Sequence, residues 1–261
     1  NQFQINVSVS DGMDSYDKDV EVRLNNLNDN GPIFSSSGSF SVDENEISIG
    51  SVAASDADGD IVTFSISGED ASLISINSSN GILVFNSPPD FELDKTSYSI
   101  NVIASDGLFS ESQNLTVAIN NVNDNAPIIS SSGSYSANEN QLSIGSISAS
   151  DADGDNLTYS ASGDEIQISS EGVLTFISAP DYETKTIYSS TISVSDGINV
   201  ITQDISITIN NLSDNEPIFT SEETFTIEES NSTIGSINAT DADIDSSITY
   251  SVDNNVQQKV E

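Results

Sequence analysis

The chain has 261 residues and sets 42 acidic side chains against 5 basic ones, a formal charge of −37. Nucleic acid is excluded as a partner, because a phosphate backbone is bound by Lys and Arg that displace its counterions, and an anionic membrane surface is excluded on the same ground. Self-repulsion on this scale opposes any compact state unless cations neutralise it, yet apolar residues alternate regularly and no long block of one charge occurs, so a disordered polyanion does not fit either.

Cys, His and Trp are all absent. Disulfides are therefore ruled out, and bound metal is one substitute by which a secreted module is stabilised. Missing His removes the side chain that titrates nearest neutral pH, which argues against hydrolase chemistry. No apolar run approaches a membrane span, so no membrane contact is expected of this segment.

In chain order, residues 1–30 align with 96–125 and read as the C-terminal part of an upstream repeat. They end in Asn26-Leu-Asn-Asp-Asn-Gly-Pro32. A repeat over 31–125 follows and runs into Asn121-Val-Asn-Asp-Asn-Ala-Pro127. A second repeat, 126–215, ends in Asn211-Leu-Ser-Asp-Asn-Glu-Pro217, and 216–261 reads as the N-terminal part of a downstream repeat. Ser35 to Asp60 and Ser130 to Asp155 align without gaps and match at 19 of 26 positions, and a weaker third copy runs from Phe225 to Asp245. Such periodicity is the signature of a repeat array. Each tether reaches a Pro, which fixes φ and biases the preceding residue toward extended backbone.

Within the first complete repeat, Phe64 and Ile66, then Leu83 and Phe85, then Tyr98, Ile100, Val102 and Ala104, then Leu115, Val117 and Ile119 alternate with Ser, Thr and Asn. Period two with β-branched enrichment predicts half-buried strands, and no stretch carries a helical pattern. About seven short strands in some 90 residues predict an all-β chain of immunoglobulin-like β-sandwiches. Phe40, Tyr135 and Phe225 are expected in the cores.

The acidic residues recur in register. For the junction after 31–125, Glu44 follows the first strand, Asp90 and Glu92 stand in Pro89-Asp-Phe-Glu92, and Asn123, Asp124 and Asn125 form the tether. The next repeat adds Asp151 and Asp153 from Asp-Ala-Asp-Gly-Asp155, and Asp196 from Ser-Asp-Gly197. Calcium takes six to eight hard oxygens. Seven carboxylates repel one another, and three Ca²⁺ would bring −7 close to neutrality. The first junction holds Asn28, Asp29, Asn30, Asp56, Asp58 and Asp106; the last holds Glu139, Asp181, Glu183, Asp214, Asn215, Asp241 and Asp243.

With these motifs in order, the chain resembles tandem cadherin repeats. Their pattern is a Glu after the first strand, an Asp-x-Glu, an Asp-x-Asn-Asp-Asn tether, an Asp-x-Asp and a late Ala-x-Asp. The resemblance implies seven-stranded Greek-key sandwiches joined by calcium-binding linkers, with about three Ca²⁺ per complete junction. It implies side-chain ligands at the positions above, Asn123 among them, and carbonyl ligands from Val122 and Asn125. By the same pattern Leu212 and Ser213 stand at the last tether, where Ser213 replaces an Asn. The Asp-Ala-Asp loops are shorter than in animal cadherins, so the carbonyl ligand beyond them is expected from Gly154 or Asp155.

An isolated Asp-x-Asp is a weak motif, since Asp favours turns by itself; recurrence of the motifs in register, all five at the middle junction and part of the set at the incomplete outer two, outweighs that reading. An EF-hand is rejected because Gly is misplaced and no bidentate Glu follows. A glycosidase pair at Asp90 and Glu92 is rejected because residues two apart on a strand recur without a pocket. The function expected is a calcium-rigidified extracellular segment at the cell surface, acting in adhesion or as the stalk of a large surface protein, and not an enzyme. The partners expected are other surface proteins, glycans or like chains. A carbohydrate-binding module of a secreted polysaccharide-acting protein, or a self-assembling filament subunit, is the alternative.

Overall fold

The computed structural model describes residues 2–243 and 247–253, so Asp245, the end of the third repeat copy, lies outside the described residues. No helix occurs among them; every regular element is a strand. The chain divides into two compact units, 1–122 and 123–261.

The first unit opens with a hairpin of β1 (Gln2–Ser10) and β2 (Ser15–Arg23), followed by β3 (Ile33–Phe34), β4 (Ser39–Asp43), β5 (Ser48–Ser51), β6 (Ala54–Ser55), β7 (Thr63–Ser67), β8 (Ile74–Ile76), β9 (Ile82–Phe85), β10 (Ser97–Ser105) and β11 (Ser110–Asn120). One sheet has the order β4-β11-β10-β7, the other β5-β9-β8, and β3 pairs with β6 at the edge. The two main sheets thus contain seven strands, as the alternation predicts. Strand β10 alternates cleanly, with Tyr98, Ile100, Val102 and Ala104 buried, and β11 buries Leu115, Val117 and Ile119 between exposed polar residues. A strand with one face on a core and one in water requires this pattern. Leu83, Val102, Ala104, Leu115 and Val117 are fully buried between the sheets.

The second unit repeats the plan with β12 (Ile128–Ile129), β13 (Ser134–Asn138), β14 (Ser143–Ser146), β15 (Ala149–Ser150), β16 (Thr158–Ala161), β17 (Ile166–Ile168), β18 (Val173–Phe176), β19 (Ile187–Ser195) and β20 (Val200–Asn210). Its sheets are β13-β20-β19-β16 and β14-β18-β17, with β12 on β15. Beyond them β21 (Ile218–Phe219) pairs with β22 (Ala239–Thr240). In both sandwiches an early five-residue strand pairs parallel to the long closing strand, β4 with β11 and β13 with β20. That pairing carries the residues just after β4 and β13 to the start of a tether, where the acidic clusters form.

The ring of Phe40 packs on Gly50, where a Cβ would lie 2.6 Å from ring carbon Cε1; Tyr135 and Phe225 lie in the same way over Gly145 and Gly235. Phe40 and Tyr135 are partly buried against their cores. Phe225 departs from expectation, being 36% exposed, because the described strands of its segment are the short pair β21 and β22 and supply no facing sheet.

Candidate metal centres

Each tether is held by the second Asp of the loop that follows it. Asp58 Oδ2 accepts the N–H groups of Asp29 and Asn30 at 2.9 and 2.8 Å, and Asn30 Nδ2 donates to Asp58 Oδ1 at 3.0 Å. Asp153 Oδ2 accepts Asn125 N–H at 2.9 Å, and Asn125 Nδ2 donates to Oδ1 at 3.0 Å. Asp243 does the same to Asn215 at 3.0 and 3.2 Å. Backbone donors stabilise an ionised carboxylate; the N–H groups of Asn30, then Asp29, hold the Asp58 carboxyl below its ordinary range.

A buried Glu holds the middle and the last tether from the other side. Glu44 is 2% exposed; its Oε2 accepts Phe91 N–H at 2.6 Å and its Oε1 accepts Val122 N–H at 2.8 Å. Glu139, also 2% exposed, accepts Tyr182 N–H at 2.8 Å and Leu212 N–H at 2.6 Å. Val122 and Leu212 therefore present their N–H groups to a carboxylate. Asp90 and Glu92 lie in a turn and not, as expected, on a strand: Asp90 Oδ1 caps the N–H groups of Glu92 and Leu93 at 3.1 and 3.0 Å. Asp181 caps Glu183 N–H at 3.1 Å and accepts the Thr184 hydroxyl at 2.8 Å.

What remains unsatisfied is informative. At the first tether Asp56 Oδ1 accepts Asp58 N–H at 2.8 Å, and Asp106 Oδ1 accepts the N–H groups of Leu108 and Phe109 at 2.7 and 2.6 Å. The other carboxylate oxygen of each is buried without a hydrogen-bond partner, and so are Asn28 Oδ1 and Asp60 Oδ2. A buried polar atom left unpaired costs free energy. These four oxygens come from one tether and the loops beside it, a set of hard acceptors that a cation could satisfy together.

The second unit repeats this. Asp151 Oδ1 accepts Asp153 N–H at 3.0 Å, while Asp151 Oδ2 and Asp155 Oδ2 are buried without partners. Asp196, 8% exposed, accepts the N–H groups of Ile198 and Asn199 at 2.7 and 2.6 Å. Here Asn199 stands where the first repeat has Phe109. Its Nδ2 reaches Asp196 Oδ2 at 3.1 Å and Asn123 Oδ1 and Asn125 O at 3.4 Å. Asn123 Nδ2 in turn donates to Asp196 O at 3.3 Å. Asp124 Oδ1 accepts Asn125 Nδ2 at 2.8 Å, as Asp29 Oδ1 accepts Asn30 Nδ2.

The last tether lies wholly inside the second unit, with both of its sides described. Ligand atoms of Glu139, Asp181 and Glu183 lie within 4.8 Å of one another, and so do those of Glu183, Asp214 and Asp243. Asn215 Nδ2 joins this second group, donating to Glu183 Oε2 and Asp214 Oδ1, each at 3.1 Å. Asn140 Nδ2 donates to Asp214 Oδ2. Asp241 Oδ1 accepts Asp243 N–H at 3.0 Å, and Ser213 lines the adjoining cleft with Asn211, Asn215, Asp241 and Asp243. Desolvation first, with the Glu139 charge adding to it, pushes the Glu183 carboxyl above its ordinary range.

The donors are carboxylate and amide oxygens with no His or Cys in the chain. That set suits a hard cation such as Ca²⁺ and not the transition metals that seek nitrogen or sulfur. Asp60, Asp155 and Asn199 were not among the side-chain ligands the sequence suggested. For the first two the signal was the third Asp of Asp-Ala-Asp-Gly-Asp; for Asn199 there was none.

The fold is that of cadherin-like β-sandwiches. Residues 123–209 match the model of a family described as bacterial Ig domain. Mouse (Mus musculus) Protocadherin Fat 4 is 32% identical over 220 residues, which is 77% of this chain and 4% of that protein. Chitinase A of Pseudoalteromonas piscicida is 27% identical over 179 residues, 68% of this chain and 22% of the chitinase. Among solved structures, mouse Cadherin-23 EC22-24 superposes with a TM-score of 0.65 at 22% identity, covering 82% of this chain and 79% of that one. The chain thus spans only a small part of the curated relatives it matches.

Proposed function

We propose that this chain is a calcium-rigidified segment of an extracellular adhesin or surface stalk, with repeats 31–125 and 126–215, the partial repeats 1–30 and 216–261, and calcium bound at the tethers. The observation that carries this reading is the set of buried, unpartnered oxygens of Asn28, Asp56, Asp60 and Asp106. The grouping of Glu183 with Asp214 and Asp243 supports it, because these acids come from opposite sides of the last tether.

The mechanism is linkage. An ion that binds only the folded, aligned state stabilises that state by RT ln(1 + [L]/Kd), which is about 1.4 kcal/mol per ion when calcium stands roughly tenfold above Kd. Extracellular modules bind at roughly 10⁻⁴ to 10⁻³ M, so the sites fill outside the cell and not at cytosolic calcium. The segment itself has a non-enzymatic, mechanical role, and its partners are surface proteins, glycans or like chains. Small-angle scattering with calcium and with chelator tests the reading: the maximum dimension is expected to fall and the profile to broaden on chelation, and an unchanged profile refutes it.

The similarity to a chitinase favours a second reading, an accessory module of a secreted polysaccharide-acting protein. Retention on insoluble chitin independent of calcium would favour that reading over the stalk.

A further inference from the structure

We infer that Asp60 and Asp155 are direct carboxylate ligands of an ion seated on the tether and the repeat that follows it, completing a site of four carboxylates in which the preceding repeat takes no part. This deepens the calcium reading above and rests on it. The resemblance implied only a backbone carbonyl from this stretch.

The loop geometry shows how the third Asp returns. In Asp56-Ala-Asp-Gly-Asp60, Gly59 has φ +82° and in the second copy Gly154 has φ +77°. A left-handed turn at that point is open to Gly at no steric cost, and it reverses the chain within two residues. Asp60 N–H is thereby drawn to Asp56 Oδ1 at 3.3 Å. Ligand atoms of Asp56, Asp58 and Asp60 lie within 4.8 Å of one another, and so do those of Asp151, Asp153 and Asp155.

Two copies of the loop, in separate units of the chain, leave the same atoms without a partner: Oδ2 of the first Asp and Oδ2 of the third, both buried. In the first unit Asp106 Oδ2 and Asn28 Oδ1 are buried and unpartnered as well. A solvated turn would leave its third carboxylate in water. The third carboxylate is held within 4.8 Å of the first two, and a cation among them relieves their mutual repulsion. Asp58 and Asp153 contribute a carboxylate that also grips the tether, so ion and tether are coupled through one side chain.

The test uses the full chain with D60N, D155N and the double variant, and D164N as a control that removes the same charge from an exposed loop. Calcium binding is measured calorimetrically, and melting is followed with calcium and with chelator. D60N and D155N are each expected to weaken one class of site by roughly tenfold or more, since ligand charge sets affinity in such sites, and the double variant to weaken two. In chelator, the same variants are expected to melt at or above the wild-type temperature, because the repulsion is gone; a merely structural role would lower it. If the wild-type chain binds calcium and D60N and D155N bind it as tightly as D164N does, this inference is overturned and the proposed function stands. If the wild-type chain binds no calcium, both fall.

Discussion

Glu139 Oε1 accepts the backbone N–H of Leu212 at 2.6 Å, and this bond joins the end of the first long strand of a repeat to the tether that leaves it. The other oxygen of Glu139 accepts Tyr182 N–H at 2.8 Å, and the side chain is 2% exposed. Glu44 repeats both bonds with Val122 and Phe91. The Glu of the pattern is thus a structural clamp before it is a ligand.

E139A removes the acceptor of the Tyr182 and Leu212 N–H groups, at a cost of about 1 kcal/mol each. Its melting temperature is expected to fall in chelator as well as in calcium. A loss seen only in calcium would mean that Glu139 serves the ion alone. E139Q, which keeps an acceptor oxygen, is expected to recover part of the loss.

In chelator the crowded carboxylates repel, and that repulsion is screened by salt, with a Debye length of about 10 Å at 0.1 M. Raising sodium chloride is therefore expected to raise the melting temperature of the calcium-free chain. With calcium bound the same salt series should be nearly flat. Parallel slopes in the two series would contradict the clustering of unpaired carboxylates.

At the last tether Ser213 stands where the others have Asn28 and Asn123. Ser213 is exposed and lines a cleft with Asn211, Asn215, Asp241 and Asp243. S213N restores a longer oxygen donor and is expected to tighten calcium binding there by several-fold, read by calorimetry. Unchanged affinity would show that this position does not reach the ion.

Asp70 supplies a pH signature away from every tether. It is 4% exposed, with Lys95 Nζ 2.7 Å from Oδ1 and Ser99 N–H 2.8 Å from Oδ2. The bond from Lys95, then that from Ser99, holds its carboxyl below the ordinary range. The sign follows from linkage: a depressed carboxyl stabilises the fold above its unfolded-state pKa and loses that contribution as pH falls through the folded value. D70N is therefore expected to cost about 1–3 kcal/mol near neutral pH, and the gap to wild type to close as pH drops below the ordinary carboxylate range. Denaturant melts across that range check it; a gap that stays constant would exclude ionised Asp70 as the cause.

The alternation of Tyr98, Ile100, Val102 and Ala104 marked β10 correctly because period two is a local property of a strand with one wet face. The parallel pairing of β4 with β11 was not legible, since no residue near Phe40 reports which distant strand it will meet. The turn at Asp90 was misread as strand because Asp-Phe-Glu alternates polarity, while the cap that sets the turn depends on where Asp90 Oδ1 points. Asn199 left no trace in sequence, since its role exists only where its amide reaches Asn123, Asn125 and Asp196.

The amino-acid order alone determined the repeats, the strands, the acidity and the three tethers, because each rests on neighbours a few residues apart. Tertiary structure decided which oxygen atoms are used up by backbone N–H groups and which are left bare. That accounting is nonlocal: Asp58 is satisfied by residues 28 and 29 positions away, while Asp60, two residues on, keeps a buried oxygen with no donor in reach.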